Sequence, residues 1–93
     1  MSYKLIYEDK FVKSAAKIIK KNPSIKDRLY KTLHLLEDNP HHSSLRLHKL
    51  KGKLDGLYDV SITMKYRIII DIVITDKEIY LIDIGGHDDV YWK

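Results

Sequence analysis

The chain contains no cysteine, and that absence removes several kinds of chemistry at once. No disulfide framework, thiolate nucleophile or thiolate zinc site can be built, which fits a reducing compartment and makes the cytoplasm the expected location. Proline is scarce. Pro23 and Pro40 each follow an asparagine, where they interrupt helices rather than fill a linker. Long apolar runs are missing as well: the longest, Ile68 to Ile74, is broken by Asp71. The opening Met-Ser-Tyr-Lys-Leu-Ile-Tyr-Glu-Asp has too short an apolar run for a signal peptide, so no export and no membrane contact are expected. Acid is absent from one stretch. Between Asp38 and Asp55 there is none, while Arg46, Lys49, Lys51 and Lys53 occur with His41, His42 and His48.

What remains is 93 residues with a formal charge of +4 and a pI near 9.2. That length supports a single domain, residues 1–93, which buries roughly 60–65% of its unfolded surface and is modestly stable. The charge favours an acidic partner, and the basic run between residues 46 and 53 is either its docking surface or a solvated loop.

Local patterns set the fold class. Residues 3–7 read as a short strand. From an N-cap at Asp9, Phe11, Val12, Ala15, Ala16 and Ile19 recur at helical spacing opposite Lys10, Lys13, Lys17 and Lys20, up to Asn22-Pro23. Ser24 and Asp27 resemble a capping box, and Ile25, Leu29, Leu33 and Leu36 form the stripe of a second helix that stops at Asn39-Pro40. Three strand-like segments follow, at about residues 57–62, 66–74 and 78–84, joined by connections short enough for an antiparallel meander. The order β-α-α-β-β-β is α+β, with the helical hairpin on one face of the sheet and the other face free for function. Alternation assigns Ile68, Ile70, Ile72 and Ile74 to the helix side, and Arg67, Ile69, Asp71 and Val73 to the open side. Arg67 there either pairs with Asp71 or Asp83 or serves a ligand. Asp83 is expected on the same side.

The C-terminal residues, Gly85-Gly86-His87-Asp88-Asp89-Val90-Tyr91-Trp92-Lys93, place an imidazole just past the last strand. The two glycines are expected to let the backbone turn so that His87 returns over the sheet; the plainer alternative is an exposed tail. Histidine exchanges protons near neutral pH. His87 and His48 at the borders of a face carrying Arg67 could take a proton from a ribose 2′-hydroxyl and give one to a departing 5′-oxygen, while Arg67 holds the phosphate with parallel hydrogen bonds. No histidine pair has a clear metal-ligand spacing, and adjacent His41 and His42 diverge in a loop, so neither metal nor cofactor is expected. His34 should face solvent.

Four segments carry a resemblance: Leu47-His48-Lys49-Leu50-Lys51-Gly52, Gly56-Leu57-Tyr58, Tyr66-Arg67-Ile68-Ile69-Ile70 and Gly85-Gly86-His87-Asp88-Asp89-Val90-Tyr91. In that order and at those separations the whole chain resembles the RelE/ParE superfamily of bacterial and archaeal toxins. The elements at His48 and at His87 and Tyr91 are similar to the YafQ branch, and Tyr66-Arg67 is similar to RelE. The resemblance implies a RelE-like fold and an endoribonuclease that cuts messenger RNA, commonly on the ribosome, leaving a 2′,3′-cyclic phosphate. It implies His87 as the main general acid or base, His48 as a second proton-transfer or phosphate-contacting residue, Arg67 as the stabiliser of charge on phosphorus, and Tyr91 as the residue positioning the nucleotide. Arg46, Lys49, Lys51 and Lys53 would hold RNA phosphates. A cognate antitoxin would block the site and carry the complex to promoter DNA. Ser61 and Lys65 stand where the YafQ branch has a further histidine and an acid. Two other functions share the fold: a ParE-like toxin acting on DNA gyrase, and a noncatalytic co-regulator bound to its antitoxin.

Overall fold

A computed structural model describes residues 2–86. The chain runs β1 (Lys4–Tyr7), α1 (Asp9–Lys21), α2 (Ile25–Asp38), β2 (His48–Lys49), β3 (Tyr58–Ser61), β4 (Tyr66–Val73) and β5 (Glu78–Gly86), with short 3-10 turns at Ser43–Leu45 and Gly52–Leu54. The strands form one sheet in the order β1-β5-β4-β3-β2. The expected meander β3-β4-β5 is antiparallel, whereas β1 pairs with β5 in parallel. The sheet is therefore mixed, because the helical hairpin carries the chain from β1 across the sheet face before β3 begins.

The helices form as the spacing implies, but their ends differ in detail. Glu8, not Asp9, occupies the N-cap of α1, and Asp9 lies in the first turn, where a carboxylate favours the helix dipole. Ser24 precedes α2 with helical angles, φ −65° and ψ −16°, so its hydroxyl cannot reach forward as an N-cap from extended backbone would. It donates instead to Asn22 Oδ1 at 2.7 Å, and no capping box forms. Both asparagines close their helices through the backbone: Asn22 N–H donates to the Ile18 carbonyl and Asn39 N–H to that of Leu35.

The principal core lies between the hairpin and the sheet. Phe11 and Ala15 from α1 and Ile25, Leu29 and Leu36 from α2 meet Val60, Ile68, Ile70, Ile79 and Leu81. Ile68 and Ile70 are fully buried as the alternation requires, Ile72 is half-buried against the same core, and Ile74 lies beyond the strand, exposed. Val12 and Ala16, at the margin of the α1 stripe, face solvent, and Leu33 is only half-buried. The alternation of β5 is broken by a bulge. Ile69 pairs with Asp83 but Ile70 pairs with Leu81, so Ile82 is an extra residue and the parity changes there. Ile79 and Leu81 accordingly join Ile84 in the helix-side core.

The second face is not bare. Leu50 and Ile69 are buried there beneath Leu54, Leu57 and Ile82, so the 50–57 segment folds across the middle of the sheet. Two left-handed glycines shape that segment, Gly52 at φ +67° and Gly56 at φ +93°. Nothing lies within 4 Å of where a Gly56 Cβ would sit, so Gly56→Ala should be purely a backbone change. It is expected to cost about 1–2 kcal/mol, measured as a fall in chemical unfolding free energy.

Candidate functional site

On that second face β4 presents Arg67 two residues from the buried Ile69. Its guanidinium donates from Nη2 to Asp59 Oδ1 at 2.9 Å. The Asp59 side chain is 2% exposed and that of Arg67 is 23%. Asp59 is the register partner of Ile69 and Ser61 that of Arg67, so aspartate and arginine are diagonal neighbours on one face. This corrects the partner expected from sequence. Asp71 lies opposite Tyr80 farther along β4, and Asp83 binds Lys10 Nζ at 3.3 Å while accepting the Ile84 N–H. Asp59 was legible in the alternation of β3, where Tyr58, Val60 and Ile62 are apolar, but its pairing with β4 was not.

The pair orients a cation without consuming it. A guanidinium has five N–H donors in a fixed plane, and Arg67 makes one hydrogen bond among the described residues. Its cross-strand neighbours are small: Ser61 on β3 and Gly85 on β5. Gly85 and Gly86 thus act differently from expectation. They remain within β5, paired with Arg67 and Tyr66, and carry the strand past the arginine instead of turning away before it.

His48 joins the same face. It lies on β2 opposite Asp59, so its exposed imidazole projects on the Asp59–Arg67 side. Two inter-strand spacings, about 10 Å, separate β2 from β4. The basic run divides. Lys49 pairs with Tyr58, whose ring packs on the helix-side core, and it therefore points away from His48. Lys51 and Lys53 are exposed around the 3-10 turn over Leu50, whereas Arg46 borders a separate groove with Arg28. His87 and Tyr91 lie outside the described residues. His34 is exposed, as expected, in a groove with Leu5, Tyr7 and Glu37. There, partial burial and the Glu37 charge raise the Tyr7 hydroxyl above its usual pKa.

Among the described residues there is no cluster of three or more metal-ligating side chains, and no helix is long and apolar enough to cross a membrane. The arrangement can bind an anion at Arg67 and supply a proton carrier at His48 from the same face.

A family model described as ParE toxin of type II toxin-antitoxin system, parDE, matches residues 5–91. Among solved structures, YafQ from E. coli strain BL21(DE3) superposes with a TM-score of 0.79 at 20% identity, covering 96% of this chain and 98% of that one. The E. coli DinJ-YafQ toxin-antitoxin complex gives 0.78 at 19% identity, covering 98% and 99%. A metal-bound toxin from Helicobacter pylori gives 0.79 at 22% identity, covering 98% and 100%. No curated protein matches the chain in sequence.

Proposed function

Because the chain belongs to the ParE toxin family of type II toxin-antitoxin systems, we propose that it is a cytoplasmic endoribonuclease that cuts messenger RNA, on the ribosome, and is neutralised by a cognate antitoxin. The observation that carries this reading is the placement of His48 and the Asp59-held Arg67 on one sheet face, next to the strand that leads into His87. The reaction requires only groups of this chain. A ribose 2′-oxygen loses its proton to one imidazole and attacks the adjacent phosphorus. The bond to the 5′-oxygen breaks, a second imidazole protonates that oxygen, and a 2′,3′-cyclic phosphate remains. Arg67 N–H groups stabilise the extra negative charge on the phosphoryl oxygens in the transition state. His87 is assigned as the principal acid or base, His48 as its counterpart, and Tyr91 as the ring that stacks on the nucleotide. Lys51 and Lys53 add nonspecific phosphate affinity. The DinJ-YafQ toxin-antitoxin complex supports a protein partner of the antitoxin class, through which promoter DNA would be reached.

Inducing the chain in cells and mapping transcript 5′ ends tests the proposal: new cuts within coding regions are expected, and their absence during growth arrest would reject it. His87→Ala is expected to slow cleavage by about 100-fold, read from single-turnover rates on a synthetic RNA. The ParE description of the matched family favours a second reading, inhibition of DNA gyrase. Gyrase-linked DNA breaks without transcript cleavage would establish it.

A further inference from the structure

A second concentration of positive charge lies beyond the arginine on β4. A groove of ≈ 460 Å³ opens between α2, the 43–46 segment and the β3–β4 turn, bordered by Arg28, Arg46, Ser43, Ser44, Ser61 and Thr63. Among the described residues no carboxylate lines it. Neither arginine takes part in the two ion pairs found among the described residues, Lys10–Asp83 and Arg67–Asp59. Two guanidiniums sharing an opening repel one another, and an anion between them offsets that repulsion.

The cations are also placed by the fold. Arg28 Nη2 donates to the Ile62 carbonyl at 3.3 Å, which holds its side chain against the end of β3. Arg46 has a left-handed backbone, φ +50°, between Leu45, which is buried, and Leu47, which packs on the core. The chain reversal lets both leucines turn inward while Arg46 stays at the groove. Serine and threonine hydroxyls around the rim supply further donors. Met64, fully exposed at the lip, offers apolar surface to a base. Ser61 connects the groove to the candidate site, since it both lines the opening and pairs with Arg67.

The geometry points to this groove as a second phosphate subsite for single-stranded RNA, holding a backbone phosphate neighbouring the one at Arg67. The inference rests on the reading of the Arg67 face as an RNA site. It adds Arg28, a helix residue outside the basic run, and gives Arg46 a place apart from the lysines. Each phosphate contact on a single strand contributes about 0.7 to the slope of log affinity against log salt.

The test uses a fluorescent 2′-O-methyl octaribonucleotide, which lacks the attacking hydroxyl, titrated by anisotropy across a sodium chloride series. Arg28→Gln with Arg46→Gln is expected to flatten the slope by about 0.7–1.4. Removing equal charge from α1, by Lys13→Gln with Lys17→Gln, should leave it unchanged. If the double arginine variant unfolds, Arg46→Gln alone should flatten the slope by about 0.7, while Arg28→Lys should retain it. An unchanged slope in folded arginine variants, or equal flattening in the α1 variant, overturns the subsite. So does failure of the oligonucleotide to bind the folded protein, or a duplex DNA of the same length showing the larger arginine dependence. Intact binding dependence with no cleavage of unmodified RNA would instead reject the nuclease reading and leave the subsite standing.

Discussion

Arg67→Ala is expected to slow RNA cleavage by about 100-fold and, independently, to lower the unfolding free energy by about 3 kcal/mol. The two losses have different causes. Cleavage falls because the transition state loses donors to its phosphoryl oxygens. Stability falls because Asp59, 2% exposed at its side chain, keeps a carboxylate out of water with its cation gone. The 23% exposure of Arg67 admits some solvent to the pair, which places the cost at the low end for a broken buried ion pair. Arg67→Lys separates the effects: it keeps a positive charge near Asp59 but loses the planar fork. It should recover most of the stability and little of the rate. Replacing both partners, Asp59→Leu with Arg67→Met, should be less destabilising than Arg67→Ala alone, because no charge is left buried. Urea unfolding and single-turnover cleavage on the same preparations measure both quantities. Wild-type cleavage by folded Arg67→Ala would remove the arginine from the mechanism.

Leu36→Ala should have the largest effect on stability outside the site, about 2–5 kcal/mol. Leu36 is 0% exposed in the core between α2 and the sheet, so truncation combines lost burial with a cavity that the hairpin cannot readily close. A domain of this length is stable by only about 5–14 kcal/mol, and the variant would be substantially unfolded at moderate urea. Leu33 lies one turn earlier in the same apolar stripe, but it is half-buried beside the shallow groove of Leu5 and Tyr7. Leu33→Ala should therefore cost less than half as much. Equal midpoint shifts for the two would show that the core-facing side of α2 has been misassigned.

Much of the architecture was readable because its causes are local. The strand alternation of Ile68 and Ile70, the stripe of Ile25, Leu29 and Leu36, and the stops at Asn22-Pro23 and Asn39-Pro40 depend on residues a few positions apart. Arg67 was found for the same reason, as one of two charged residues, with Asp71, on the open side of an alternating strand. Details requiring an exact backbone state were less accessible. Ser24 has a capping side chain but enters α2 with helical angles, and Gly85 and Gly86, which could have made a turn, instead continue β5 opposite Arg67 and Tyr66.

By itself the sequence determined the helical hairpin, the antiparallel meander, the side of β4 that bears Arg67 and the chemistry available to it, since burial periodicity and side-chain type are properties of short segments. Tertiary structure decided which groups meet. Asp59 became the partner of Arg67, His48 came to lie on their face with Lys49 on the reverse, and Arg46 was drawn toward Arg28 and away from the lysines. Those outcomes follow from register between β2, β3 and β4 and from the left-handed turn at Arg46. A shift of one residue in pairing reverses every side chain, and the contacts that select the register join residues distant in the chain.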